Sequence, residues 1–339
     1  MKKKSLAMLL VMVMILAGVM AGCGGDADAG GEGGNSDDGA DLPLIGLIQY
    51  VEHPSLDMIR ENIIAQLAEE GFVDGETVII DYKNGQQDPN TLKTICQSFT
   101  AEGCDLIIAI ATPAAQSALG ETTEIPIIFS AVTDPVEAQM VDSMDVPGGN
   151  VSGTSDAVSA VKIMDLALEI TPDVKTVGTV YTASEANSLS VITELKKYAE
   201  EHDLKVIEKT VMNTSEIQQA AQSLVGKVDM VFTPIDNGVA TAMGGIVEVL
   251  NKAGIPFYVG ADTMVADGGL ATDGVNYVAL GKETGKMAAA VLNGADTADM
   301  PVRVMDETQI YVNLQTAKEI GVTIPQEVLD RAQVLVEAE

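Results

Sequence analysis

The chain has 339 residues, 47% of them hydrophobic, with 19 Lys and Arg against 50 Asp and Glu and a formal net charge of −31. That length suits two cores of about 100 to 150 residues better than one. Nucleic acid is excluded as a partner, because binding a phosphate backbone depends on Lys and Arg; the acidity serves solubility and need not describe a ligand.

At the N-terminus Lys2, Lys3 and Lys4 precede an apolar run over 6–20, which ends at Ala21, Gly22 and Cys23. The run falls short of the roughly 20 residues that span a bilayer, and a basic start before a short apolar stretch is the pattern of a targeting segment. The boundary Met20-Ala21-Gly22-Cys23 resembles a bacterial lipoprotein signal. It implies a signal peptide over 1–22, lipidation of Cys23, and an extracytoplasmic body anchored at the outer face of the cell membrane. Residues 24–41 hold glycine and acid with almost nothing to bury, so 23–42 is expected to be a disordered tether.

From residue 44 short apolar runs alternate with helical periods. Strands are expected at 44–50, 77–82, 105–111, 126–130, 175–181, 204–210, 228–232 and 256–260, and helices at 55–70, 90–102, 158–170, 186–202, 215–225 and 238–253. Continuous apolar strands between helices argue for parallel sheets covered on both faces, an α/β architecture. The pattern is written twice. LIGLIQYVEHPSL (44–56) corresponds to VGTVYTASEANSL (177–189), CDLIIAIATPAAQ (104–116) to VDMVFTPIDNG (228–238), and IPIIFSAVTDP (125–135) to IPFYVGADT (255–263). Two similar halves imply two lobes, with PGGNVSGTSD (147–156) as a crossover and 276–292 as a helix returning to the first lobe. Lobe 1 is expected over 43–153 plus a return segment of about 276–310, and lobe 2 over 154–275; 311–339 is assigned to neither. Cys96 and Cys104 read as two buried thiols rather than a bridge.

In open parallel sheets, ligands sit outside the carboxyl ends of the strands. The first half places Gln49, Tyr50, His53, Thr112, Ser130, Thr133 and Asp134 there, and the second Tyr181, Glu185, Asn187, Ser188, Thr233, Asp236, Asn237 and Asp262. Helix N-termini suit a carboxylate and acids suit an ammonium group, so the mixture fits an amino acid zwitterion. Helix capping accounts equally well for Thr112, Thr233 and the Asn187-Ser188 pair. Asp236 follows a buried strand beside an Asn-Gly turn that needs no carboxylate, and its loss is expected to cost affinity but little stability. Only two histidines, His53 and His202, are present, and no nucleophile elbow, phosphate loop or dinucleotide fingerprint stands in the right context. No enzyme, metal site or cofactor is expected. The absence of Trp disfavours a sugar cleft.

QYVEHPSLD (49–57), ATPAAQ (111–116), VTDP (132–135), PGGNVSGTSD (147–156), EANS (185–188), TPIDN (233–237) and VNLQTAKEIGVTIP (312–325) together resemble the substrate-binding lipoproteins of tryptophan/tyrosine-type ABC importers. The resemblance implies a two-lobed type I periplasmic-binding-protein-like fold, each lobe a mostly parallel sheet flanked by helices, closing on a small ligand that is often an aromatic amino acid. It implies permease and ATPase partners and a monomeric receptor. It places Thr112, Ala114, Ala115, Asn187 and Ser188 near the ligand carboxylate and Asp236 near its ammonium. Gln49, Tyr50, Ser130, Val132 and Tyr181 would shape the side-chain pocket, with Glu185 and Asn237 beside them in the cleft. The competing reading is a ligand-sensing or adhesive surface lipoprotein not coupled to transport.

Overall fold

The computed structural model describes residues 42–305 and 307–338. The signal run, Cys23 and the tether through residue 41 lie outside the described residues.

The first sheet is built from β1 (Leu44–Gln49), β2 (Ile79–Asn84), β3 (Leu106–Ile110), β4 (Ile127–Ser130) and β5 (Val151–Ser155), with helices α1 (Pro54–Glu69), α2 (Pro89–Glu102) and α3 (Thr112–Glu121) between them. All neighbours are parallel, in the order β2-β1-β3-β4-β5. Every residue of β3 is buried, because helices cover both faces of the sheet and leave no side for polar residues. Cys96 and Cys104 are buried free thiols, each pushed up to about 11 by burial.

The second sheet holds β6 (Thr176–Thr182), β7 (Lys205–Val211), β8 (Met230–Thr233), β9 (Phe257–Val259) and β10 (Ala271–Val275), interleaved with α4 (Ala160–Ile170), α5 (Ala186–Glu201), α6 (Ile217–Leu224), α7 (Asn237–Thr241), α8 (Met243–Lys252) and α9 (Asp262–Ala266). Next, α10 (Tyr277–Leu292) packs on α1 and against β4 and β5 of the first sheet, and β11 (Arg303–Val304) pairs with β5. The chain then returns to the second sheet as β12 (Thr308–Asn313), antiparallel to β10, followed by α11 (Leu314–Ile320), α12 (Gln326–Leu329) and β13 (Ala332–Val336), which pairs with β12. The polypeptide therefore passes between the lobes three times. Residues 308–310, at the end of the expected return segment, already belong to the second sheet, as do β12 and β13 within 311–339.

Two local expectations fail for identifiable reasons. Residues 147–156 read as a crossover, yet Val151–Ser155 is a fully buried strand. Its hydroxyls hide it from an apolar pattern: Thr154 Oγ1 and Ser130 Oγ each lie 2.8 Å from Thr284 Oγ1 on α10, and Ser155 Oγ donates to Thr133 O. Gly153 is needed there because a Cβ would collide with Phe129. The helix expected over 238–253 is broken at Ala242 (φ −110°, ψ 19°) into α7 and α8, just before Gly244-Gly245, where helix propensity is low.

Candidate functional site

The carboxyl ends of the two sheets face one another, and the lobes touch. His53 Nε2 lies 3.1 Å from Asn237 Oδ1, and Ser55 Oγ lies 2.5 Å from Thr263 Oγ1. Each bond joins the first lobe to the second, so the protein is in a closed arrangement.

The wall from the second lobe is organised by two acids. Asp236 is the N-cap of α7 and is fully buried. Its carboxylate accepts from Val239 N–H (2.9 Å), Thr182 N–H (2.6 Å), Thr182 Oγ1 (2.9 Å) and Ser188 Oγ (2.7 Å), which ties the end of β6 and the start of α5 to the start of α7. Glu185 is fully buried beside it and accepts from Asn237 N–H (3.1 Å), Asn237 Nδ2 (2.6 Å), Asn187 Nδ2 (3.1 Å) and Gly238 N–H (3.3 Å). Among the described residues no Lys, Arg or His forms an ion pair with either acid. Desolvation, and then the charge of Asp236, push the Glu185 carboxyl up to about 8. Burial, and then the same two acids, raise the Tyr50 hydroxyl above its ordinary range, while a hydrogen bond with Gln87 opposes them. Tyr50 and Gln87 thus bring the first lobe to the acid pair.

The wall from the first lobe is strained. Ala111, between β3 and α3, has φ 78° and ψ 153°, a region otherwise reserved for glycine, and Gln86, Gln87 and Ala131 also have positive φ. All four follow strand carboxyl ends. Ala111 leads into the first turn of α3, whose Pro113 and Gln116 line a hollow with Tyr50 and with Ser184 of the other lobe, and helix starts leave N–H groups unpaired. Thr112 Oγ1 in that turn is buried without a partner, and so is Asn187 Oδ1 on the opposite wall. Buried polar atoms without partners are rare and call for an explanation.

Capping does not explain these residues. The N-cap of α3 is Ala111 and that of α5 is Glu185, neither with a side-chain capping bond. Thr233 ends β8 and donates to Val180 O. Of the residues singled out by sequence, the structure brings together Tyr50, Glu185, Asn187, Ser188, Asp236 and Asn237, and it leaves Thr112 buried at the start of α3, next to Pro113 of the neighbouring hollow. Ala114, Ala115 and Val132 are fully buried. Three others are occupied elsewhere. The Gln49 amide is spent on Val51 O, Asp57 and Arg60; Ser130 bonds to Thr284; and the Tyr181 hydroxyl donates to Glu208, which Lys196 pairs. Gln87 and Thr182 escaped the sequence reading. Gln87 follows a strand end, the one signal that pointed to it.

Gly238 shows how closely the lobes approach. A Cβ there would meet Thr182 Oγ1 at 2.5 Å and Gln87 Nε2, from the other lobe, at 3.1 Å. Gly238→Ala is expected to weaken ligand affinity about tenfold, since roughly 1.4 kcal/mol of hindered closure corresponds to that factor. Titration calorimetry against the wild type checks this; an unchanged affinity would show that closure does not need the glycine.

A hollow of ≈ 380 Å³ opens beside the cleft, lined by Tyr50, Pro113, Gln116 and Ser184 among others. The larger hollow, of ≈ 750 Å³, lies around Pro43, Asp105, Glu124 and Asn150 at the amino ends of the first sheet's strands, away from the acid pair.

Two lobes, three crossings and a closed cleft at the strand ends define a type I periplasmic-binding-protein fold, and sequence comparison narrows the class. The family described as ABC transporter substrate binding protein matches residues 44–336, and the chain belongs to it. It is 39% identical over 318 residues, 94% of this chain and 92% of the other, to the tyrosine-binding protein of Clostridioides difficile (strain R20291). Among solved structures it resembles the ABC domain from Streptococcus pneumonia in complex with L-Trp, with TM-score 0.84 and 40% identity, covering 86% of this chain and 99% of that one. A substrate binding protein with adhesive properties from Clostridium difficile, in its ligand-free, open form, is equally similar in sequence at 40% but fits less well, with TM-score 0.67, covering 88% and 100%. The better fit to the liganded relative agrees with the bonds that join the lobes here.

Proposed function

We propose that this substrate-binding protein closes its lobes on an amino acid zwitterion with an aromatic side chain and delivers it to the permease and ATPase of an importer. The observation that carries the reading is the pair of fully buried acids, Glu185 and Asp236, with no ion-paired cation among the described residues. A buried carboxylate without a counter-ion is costly, and a ligand ammonium would supply one. Asn187 Oδ1 is an acceptor and joins Glu185 on the ammonium side. Asp236 acts through position and field, because its own bonds are filled. The open N–H groups of Thr112 and Ala114 and the Thr112 hydroxyl receive the carboxylate, and Tyr50 with the hollow beside it takes the side chain. The liganded and tyrosine-binding relatives support the aromatic class.

In this reading no bond is made or broken and no cofactor takes part. The protein works as a monomer outside the cytoplasmic membrane, released by cleavage after residue 22 and held by lipidated Cys23 through the tether. The adhesive relative favours a second reading in which the same body acts at the cell surface without transport.

A thermal-shift series of the purified protein with the twenty amino acids tests the ligand. L-tyrosine or L-tryptophan at about 100 times Kd would add roughly 2.7 kcal/mol to stability and raise the melting temperature. No shift with any of the twenty would end the amino-acid reading.

A further inference from the structure

The contact between the lobes carries more than proximity. Asn237 Nδ2 donates to Glu185, which fixes the orientation of the Asn237 amide and turns its Oδ1 toward His53. An amide oxygen only accepts, so the His53 ring must donate from Nε2, and Nδ1 is left as a bare acceptor. Nδ1 is buried without a partner, which an unprotonated nitrogen tolerates better than an N–H would. We propose that His53 latches the closed state: its Nε2–H holds Asn237 across the cleft with Nδ2 on Glu185, so that closing the lobes and shaping the acid pair are one event.

His53 is then a positioning residue, acting through Asn237, and the inference rests on the amino-acid reading for its ligand probe alone. It also has a pH consequence. An imidazolium in the closed cleft would carry a buried Nδ1–H with nothing to accept it. The charged groups around the ring are Glu52 and Asp57 on its own lobe, with Arg60 held by Asp57, and Asp236, Glu185 and Asp267 on the other. The acids favour the cation, yet burial is the larger effect and lowers the ring below its ordinary value. A base lowered on closing favours the closed state above its ordinary value of about 6.5, and that preference is lost as pH falls from there through the lowered value.

The test uses L-tryptophan and the His53→Ala and His53→Gln variants of the full protein. A Gln amide can donate like Nε2 but does not titrate. Dissociation is expected to be about tenfold faster in His53→Ala, the loss of one buried hydrogen bond, and to return most of the way to the wild-type rate in His53→Gln. At pH 6 the wild type is expected to release more protons on binding than His53→Gln, by at most about 0.8, the share of rings protonated at that pH for an ordinary value of about 6.5, read by calorimetry in buffers of different ionisation enthalpy. The difference cancels any proton contributed by Glu185. Unchanged dissociation in His53→Ala, no recovery in His53→Gln, or equal proton release would each overturn the latch. Failure of every amino acid to bind the wild type would instead sink the ligand reading. The latch is then read without ligand, from the distance between spin labels placed at Lys93 and Met212. His53→Ala is expected to lengthen it, and coincident distributions overturn the latch.

Discussion

Glu185→Gln is expected to weaken L-tryptophan or L-tyrosine binding by about 100-fold or more while leaving the ligand-free melting temperature unchanged or higher. Removing one partner of a buried ion pair costs about 3–5 kcal/mol, and every 1.4 kcal/mol is tenfold in affinity. In the ligand-free protein, however, Glu185 has no ion-paired cation among the described residues and sits beside Asp236, so neutralising it relieves desolvation and repulsion, while a Gln oxygen can keep the three donors on one side and gives up only the 3.3 Å bond from Gly238 N–H. Opposite effects on stability and binding mark a group kept for a ligand, since a purely structural residue would lose both. The pH dependence follows with a definite sign. The folded value is pushed up to about 8, above the ordinary value, so between the two the native state holds more protons than the unfolded one. Glu185 thus makes ligand-free stability fall as pH rises through that window, and Glu185→Gln flattens the slope. An arriving ammonium stabilises the carboxylate, so binding at neutral pH expels a proton in the wild type, and this contribution disappears in Glu185→Gln. Melting curves from pH 4 to 9 and calorimetry in two buffers check both. Equal affinity in the variant would remove Glu185 from the ligand site.

Asp236→Ala is expected to behave differently, losing affinity and stability together. The substitution strips the acceptor from two backbone N–H groups and two hydroxyls and opens the junction of β6, α5 and α7. Buried donors left unsatisfied cost about 1–3 kcal/mol each, and a total of roughly 3 kcal/mol, after relief of the Glu185 repulsion, would lower the melting temperature by about 6–12 °C. Asp236→Asn offers little rescue, since its amide NH₂ would be set against a donor on one side. Thermal unfolding without ligand decides the matter. A melting temperature within a degree or so of wild type would mean that the four bonds carry no net stability. The sequence reading of Asp236 as a residue whose loss spares the fold is corrected by these bonds, because an acid beside a turn looks the same in sequence whether its oxygens face a ligand or the backbone.

Much of the cleft was legible from punctuation. Thr112, Glu185, Asn187, Ser188, Asp236 and Asn237 all follow apolar strands, and strand ends in parallel sheets converge. Gln49, Ser130 and Tyr181 meet the same rule, yet their side chains turn into their own lobe. Successive strand residues point to opposite faces, and which face meets the cleft is settled by helices packed from elsewhere in the chain. Arg60 draws in Gln49, Thr284 claims Ser130, and Glu208 holds Tyr181. Gln87 was missed for the converse reason: it lies past a strand end, but what makes it matter is its approach to Gly238 on the other lobe, which no local pattern shows.

The sequence by itself determined the alternation of strand and helix, the duplication into two halves and the acidic character of the cleft, because these depend on local pattern and composition. It also carried enough in-order motifs to indicate a substrate-binding protein. Tertiary structure alone decided that β5 is a strand built on shared hydroxyls, that β12 and β13 complete the second sheet, that Asp236 is saturated, and that Glu185 is buried beside it with no ion-paired cation among the described residues. Each of these depends on groups far apart in the chain. Hydrogen-bond saturation and desolvation are properties of a three-dimensional neighbourhood, and no residue type or spacing encodes them alone.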